Sequence, residues 1–341
     1  MIVLAILSTM AVDPPEPEAQ DLRMEASEEL TPESAASDVS PETTLLDSLR
    51  SGGIGKLRSL WKDLGINTDI FADRGDGDPI EVVRFAAELD GTDGEELLLT
   101  ITDSSAWDYQ FLALDHAESG WRNLGFVDVR NQRSGPPQHR IESLGGGGRW
   151  LVIRALKGGG SGFSRVHDTW YAAGGSLQSV LSYPVEGHVN GHDMPFNRSF
   201  SGSPRGIGSD EGEPAVDVDL SIRYTNGELF SIEGLSELFT RTASIRYTLD
   251  EEADRFVLDE AESGMNEAEI EGIFGDDAEG FLRHNFTQLK EIAQSGDDLK
   301  RQWLRHFLEG REESSEKSVL QGLLEPREAV GEPATSPPLH P

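Results

Sequence analysis

Two apolar runs flanking a short acidic turn constrain the fold more than any other feature of this chain. Val82-Val83-Arg84-Phe85-Ala86-Ala87-Glu88 leads into Leu89-Asp90-Gly91-Thr92-Asp93-Gly94-Glu95-Glu96, and Leu97-Leu98-Leu99-Thr100-Ile101 follows. Asp and Gly tolerate the positive φ of a tight turn, so Asp-Gly between β-rich runs reads as an antiparallel hairpin.

The same grammar of period-two runs separated by turn residues continues for most of the chain. Tyr109–Asp115 and Trp121–Val129 form a second hairpin pattern, and Arg149–Leu156, Phe163–Ala172 and Leu177–Val189 a second group. Ala215–Tyr224, Ala243–Leu249 and Arg255–Leu258 make a third. Three groups recurring over roughly 45 residues have the spacing of propeller blades, but propellers need at least about four. The expectation is therefore a mainly antiparallel β body (a curled sheet, a sandwich, or a propeller-like array) with a C-terminal α-helical subdomain.

The helical part begins where the period changes to 3.6, near residue 265. Asn266-Glu267-Ala268-Glu269 has capping-box spacing ahead of Ile270, Ile273 and Phe274. Asp276 or Asp277 can cap a segment through Phe281, Leu282, Phe286, Leu289 and Ile292. Asp297 or Asp298 can cap another through Leu299, Trp303, Phe307 and Leu308, and Ser314 or Ser315 a last one before Pro326. Upstream, leucines between Leu45 and Leu64 recur at helical spacing, interrupted by Gly52, Gly53 and Gly55. The segmentation expected is an apolar leader remnant over 1–12, a disordered acidic linker over 13–44 and a short helical segment over 45–69. An antiparallel β domain over 70–260, a helical subdomain over 261–325 and a disordered tail over 326–341 complete it.

Charge narrows the function classes. Residues 13–44 carry ten acidic residues, one basic residue (Arg23) and five prolines, too little apolar surface to offset the entropy of ordering. They contribute −9 of the −33 formal charge, which leaves −24 on residues 45–341. With no Lys/Arg cluster, such a body repels phosphate backbones, so nucleic acid is not an expected partner. The chain has no cysteine, which excludes disulfides, thiolate metal sites and a Cys nucleophile. The apolar run Met1–Val12 is too short to span a bilayer and resembles the core of a signal peptide without its basic leader. No integral membrane segment is expected. The location it implies is periplasmic, cell-surface or secreted, with a cytoplasmic scaffold as the alternative.

The acidic turn also has a family likeness. Glu88 to Leu97 resembles the Asp-rich loop of FG-GAP/VCBS-type β-repeats over about thirty residues, with Asp73-Arg74-Gly75-Asp76-Gly77-Asp78-Pro79 as a shorter second copy. In that family the alternating acidic positions bind calcium, and the resemblance assigns Glu88, Asp90 and Glu96 as ligands of Ca2+. Thr92 stands where the family has a carboxylate and Asp93 where it has glycine. A hard cation takes six or more oxygens, whereas a plain hairpin turn needs only Gly91 and Gly94, and both readings stand.

Two histidines, His188 and His192, lie four apart beside Glu186 and Asp193. On a helix this spacing would aim both imidazoles at one metal ion, but Gly187, Asn190 and Gly191 favour a polar loop after a strand. No nucleophile elbow, phosphate cradle or dinucleotide turn is present, since Gly158–Gly162 sits between strands and Gly206–Gly212 lacks a following helix. Trp107, Tyr109, Trp121, Trp150, Trp170, Tyr171 and Tyr183 lie on or beside strands, as core residues or as a glycan- or peptide-binding platform. The function expected is that of an exported, non-enzymatic binding or structural β-protein of the bacterial cell envelope. The alternatives are a hydrolase acting on glycans or peptides and a calcium-binding FG-GAP-like repeat protein.

Overall fold

A computed structural model of the chain describes residues 40–67, 74–78, 80–89, 96–103, 108–117, 120–130, 137–143, 149–160, 162–174, 176–190, 194–210, 213–226, 236–275 and 277–325. Helix α1 (Pro41–Asp63) precedes four strands, β1 (Ile80–Ala87), β2 (Glu96–Asp103), β3 (Asp108–Ala117) and β4 (Gly120–Arg130). Eight more follow: β5 (Gln138–Ser143), β6 (Arg149–Gly160), β7 (Phe163–Ala173), β8 (Leu177–Asn190), β9 (Phe196–Asp210), β10 (Glu213–Asn226), β11 (Ser236–Asp250) and β12 (Arg255–Leu258). The C-terminal helices are α2 (Glu267–Gly272), α3 (Ala278–His284), α4 (Phe286–Ser295), α5 (Asp298–Leu308) and α6 (Ser315–Leu324). The strands form two antiparallel meanders, a four-stranded sheet β1–β4 and an eight-stranded sheet β5–β12, and neither closes into a barrel. The body is thus mainly antiparallel β with C-terminal helices, and the three strand groups of the sequence resolve into two sheets instead of blades.

The layering explains why several strands read as continuous apolar runs. In β2, Leu97, Leu99 and Ile101 pack on Leu49, Ile54, Leu57 and Trp61 of α1. The intervening Leu98 points the other way, joining Phe111 and Ala113 of β3 and Leu124 of β4 against Leu151 and Ile153 of β6. The small sheet is therefore buried on both faces, and alternation gives way to Leu97-Leu98-Leu99 and to Phe111 through Leu114, all fully or nearly fully buried. Helix α1 begins at Pro41, earlier than the leucine periodicity indicates, because proline suits a first helical turn. It breaks at Gly53 (φ 54°), where the backbone passes close to the Asp78 carbonyl and a side chain would collide with it.

The large sheet rolls up on itself. Strands β8 and β9 share only five residue pairs, Glu186–Asn190 with Ser201–Asn197, so β5–β8 and β9–β12 splay apart beyond that seam and face each other. Phe256 of β12 meets Trp150 of β6 (ring centroids 5.9 Å) and Trp170 of β7 (6.0 Å), and Tyr247 of β11 stacks on Tyr183 of β8. The predominantly aromatic core expected of these tryptophans and tyrosines is thus realised inside the roll for Trp150, Trp170 and Tyr183.

The C-terminal helices close the other end of the roll. Phe196 stacks on Phe281 of α3 (4.4 Å) and lies edge-on to Trp303 and Phe307 of α5. The caps are those the sequence specifies. Asn266 and Glu269 complete a capping box, and Asp277, Asp297 and Ser314 accept from the first turns of α3, α5 and α6. Arg241 of β11 ties the helices to the sheet, donating to Glu269 (2.6 Å) and to the His284 carbonyl (2.8 Å). Burial pushes the Glu269 carboxyl up, but Arg241 and the Asn266 amide outweigh it and hold the group below the usual carboxylate range. Leu299, expected on the buried face of α5, is instead 48 % exposed, because it lies in the first turn of the helix, next to the Asp297 cap and short of the contact that buries Trp303 and Phe307. Trp303 is buried and its indole N–H donates to the Pro195 carbonyl at 2.8 Å. Trp303→Ala should therefore destabilise the protein by about 3–5 kcal/mol in urea unfolding. An unchanged midpoint would mean that this face of α5 does not hold the helices to the sheet.

Candidate functional site

The acidic turn is engaged within the protein at both of its described ends. Glu88, just past β1, is exposed and ion-pairs with Arg149 at the start of β6. Glu96 opens β2, is 2 % exposed and accepts the Leu89 backbone N–H at 2.7 Å, which pins the two sides of the hairpin together. Asp90 lies outside the described residues, as does the turn through residue 95. No group of three or more His, Asp or Glu side chains is placed to hold a metal ion among the described residues.

His188, expected in a polar loop after the strand, instead belongs to the strand itself. It lies within β8, paired in register with Ser164, and its Nδ1 is 3.0 Å from the Ser164 hydroxyl. Gly187 marks a close approach in the sheet, because the Phe200 ring and the Ser164 carbonyl occupy the space a side chain would need. His192 lies outside the described residues. The Ser164–His188 contact sits on an exposed strand face, and among the described residues no carboxylate is bonded to His188 to orient it as a general base.

Two features went unseen in the sequence. The first is a buried ion cluster inside the roll. Asp168 of β7 is fully buried and receives Arg154 of β6 through two bonds (Nε 2.7 Å, Nη2 2.9 Å) and Arg140 of β5 at 3.0 Å. Cross-strand register sets Asp168 directly between Arg154 and Tyr183. Burial and the Asp168 charge push the Tyr183 phenol up. A carboxylate saturated by two guanidinium groups is a structural tie, and a lone Asp between Val166 and Trp170 in a strand pattern is its sequence signal. Asp168→Asn leaves the partly buried Arg154 without its counter-charge and Arg140 with Glu142 alone, and should cost about 3 kcal/mol of stability, read as a lowered denaturation midpoint.

The second feature is a cavity of about 450 Å³ between the sheets. Asp128 and Val129 of β4 form one wall. Ile153, Ala155, Leu156, Lys157 and Gly158 of β6 and Phe163, Thr169 and Tyr171 of β7 form the other. The cavity opens where the apolar contact between the sheets runs out. Lys157 stands at a register shift of β6 between Leu156 and Gly158, the kind of bulge that redirects a side chain. The Phe163 ring lies over Gly158, 3.2 Å from where a Cβ would be. Asp128 accepts from the Gln110 amide at 3.2 Å. Burial pushes the Tyr171 phenol up, with the Thr169 hydroxyl pulling the other way. A second, open depression of about 540 Å³ lies elsewhere on the large sheet, lined chiefly by small polar residues including Ser201, Ser221 and Thr242.

Next to the cavity, His167 is held neutral. Burial pushes its imidazole down to about 4, Lys157 and Arg165 adding to the effect and Asp168 opposing it. An unfolded histidine takes its proton near pH 6.5. Between pH 6.5 and 4 the unfolded chain therefore binds a proton that the fold refuses, so this contribution to stability is complete above pH 6.5 and is lost as pH falls toward 4. Melting temperature should fall across that window, and His167→Gln should flatten this part of the profile. Parallel profiles for the two proteins would show that His167 titrates normally.

No family model matches the chain, and no curated protein or solved structure matches it either.

Proposed function

We propose that this is a non-enzymatic binding protein of the bacterial cell envelope whose ligand, a glycan end or similar small hydroxylated molecule, enters the cavity between the two sheets. The observation that carries this reading is the cavity itself, about 450 Å³, in the size range of small-molecule sites. Its walls combine two aromatic rings, Phe163 and Tyr171, with the hydrogen-bonding groups of Asp128, Lys157 and Thr169. Aromatic faces beside a few polar groups suit the C–H faces and hydroxyl edges of sugar rings. The carboxylates and histidines described above have structural partners or stand exposed on a flat strand face, which favours binding over hydrolysis. The apolar segment 1–12 ahead of the acidic, proline-rich stretch favours export. No helix long and apolar enough to cross a membrane is present among the described residues.

Soluble envelope glycan fragments at millimolar concentration should raise the melting temperature of the full chain by mass action on the folded state. Phe163→Ala, at an exposed position, should weaken binding roughly threefold to tenfold by removing one aromatic wall. Ala155→Phe, which fills the cavity, should abolish it. Glycan fragments that leave melting unchanged, or bind equally to the Ala155→Phe protein, would refute the reading.

A further inference from the structure

We propose that the cavity selects an acidic sugar, a uronic acid, by placing the ligand carboxylate on Lys157 and its hydroxyl edge on Asp128; this rests on the reading of the cavity as the ligand site. The placement of charge carries the inference. On the large sheet most strand-borne arginines have a carboxylate: Arg140 and Arg154 share Asp168, Arg149 has Glu88, Arg223 has Glu237, Arg241 has Glu269 and Arg246 faces Asp217. Lys157 and Arg165 have none among the described residues, in a chain whose formal charge is −33. With 62 acidic residues against 29 basic ones, a carboxylate paired with a strand-borne cation is the default, and the carboxylate that shares the cavity with Lys157, Asp128, stands on the opposite wall without pairing with it.

Both cations act on His167, and each loses part of its hydration, Lys157 while its side chain as a whole stays exposed. The Arg165 guanidinium lies 5.5 Å from the centre of the Phe163 ring, which lines the cavity, and 4.4 Å from that of Phe274. Burial lowers the pKa of both Lys157 and Arg165, and their combined charge reaches His167. A cation drawn partly out of water without a counter-ion is unfavourable, and a carboxylate delivered by a ligand relieves that. The bulge after Leu156 is the backbone device that sets Lys157 at the cavity.

The opposite wall decides what the rest of the ligand must be. Asp128 repels a second anionic group but accepts hydrogen bonds from hydroxyls, as it already does from the Gln110 amide. The Thr169 hydroxyl is 3.1 Å from that of Ser182 and steadies this wall, and Phe163 and Tyr171 add ring faces. A molecule with one carboxylate, several hydroxyls and an apolar ring face satisfies every wall. A phosphorylated or polyanionic ligand would bring excess charge toward Asp128, and an amino sugar, whose ammonium suits Asp128, would leave Lys157 without an anion.

The experiment is isothermal titration of the full chain with D-glucuronate, D-galacturonate, methyl glucoside and D-glucosamine, repeated for Lys157→Gln and Ala155→Phe. Lys157 is an exposed residue, so its substitution should leave the fold intact, as a melting curve will check. We expect a uronate to bind at least roughly tenfold tighter than methyl glucoside, in line with a charge-assisted hydrogen bond. Lys157→Gln should erase that preference, bringing uronate affinity down to the level of methyl glucoside in the same protein. Rising salt should weaken uronate binding alone. Equal affinity for the neutral and acidic sugars, preferred binding of glucosamine, or a preference that survives Lys157→Gln would overturn the acidic-sugar inference. If Ala155→Phe still blocked binding in those cases, the cavity reading would stand. Binding of no sugar, or binding untouched by Ala155→Phe, would overturn the cavity reading and the inference with it.

Discussion

The contact between the two sheets is the constraint on which the rest of this structure depends. Leu98, Phe111, Ala113 and Leu124 of the small sheet meet Leu151, Ile153 and Tyr171 of the large one. That contact obliges β2, β3 and β6 to be apolar on both faces, and so places α1 on one outer side and the rolled half of the large sheet on the other. It also makes the cavity. Toward Val129 and Ala155 the interlocking side chains become small, β6 bulges at Lys157 and Gly158 follows, so the sheets separate with polar groups at the margin. The Leu124 carbonyl accepts from the Gly174 N–H at 3.3 Å, and Leu177 packs where Gly125 has no side chain, so this junction is held by backbone as well as by apolar contact.

Rolling the large sheet solves a different problem. An eight-stranded open sheet has two apolar faces to bury. The small sheet covers part of one, and the roll buries the other between β6–β8 and β10–β12, with the helices filling the remaining end. Aromatic pairs supply the area, and Asp168 with its two arginines fixes how β5, β6 and β7 sit inside the roll. Just beyond the seam, Pro184 of β8 is buried against Gly202 of β9, and neither Pro184 nor Pro204 has a backbone N–H to extend the β8–β9 pairing.

Much of this was legible in the sequence, and the failures have physical causes. Asp-Gly turns and period-two runs located β1 to β4 and β6 to β8, and the change to period 3.6 with Asn266–Glu269 located the helices, because these signals are local. Strand β9 was missed because Gly202, Pro204, Gly206 and Gly208 read as loop residues, whereas Gly202 is required where the strand passes the Pro184 carbonyl. Strand β5 was missed because Gln138 to Ser143 is polar and half-buried at a sheet edge. The turn motif marks Glu88 and Glu96, whereas their partners Arg149 and the Leu89 amide come together only in the folded chain. The cavity was invisible for a stronger reason: it exists only because Asp128 and Lys157, on different sheets, are brought to one gap.

The central claim, that the gap between the sheets is where this protein takes its ligand, is tested most directly by amide chemical-shift mapping of the full chain during titration with D-glucuronate. The account predicts that the largest saturable shifts fall on Val129, Ala155, Lys157 and Thr169. Shifts concentrated instead on Ser201, Ser221 and Thr242 of the open depression, or none above those caused by matched sodium chloride, would contradict it.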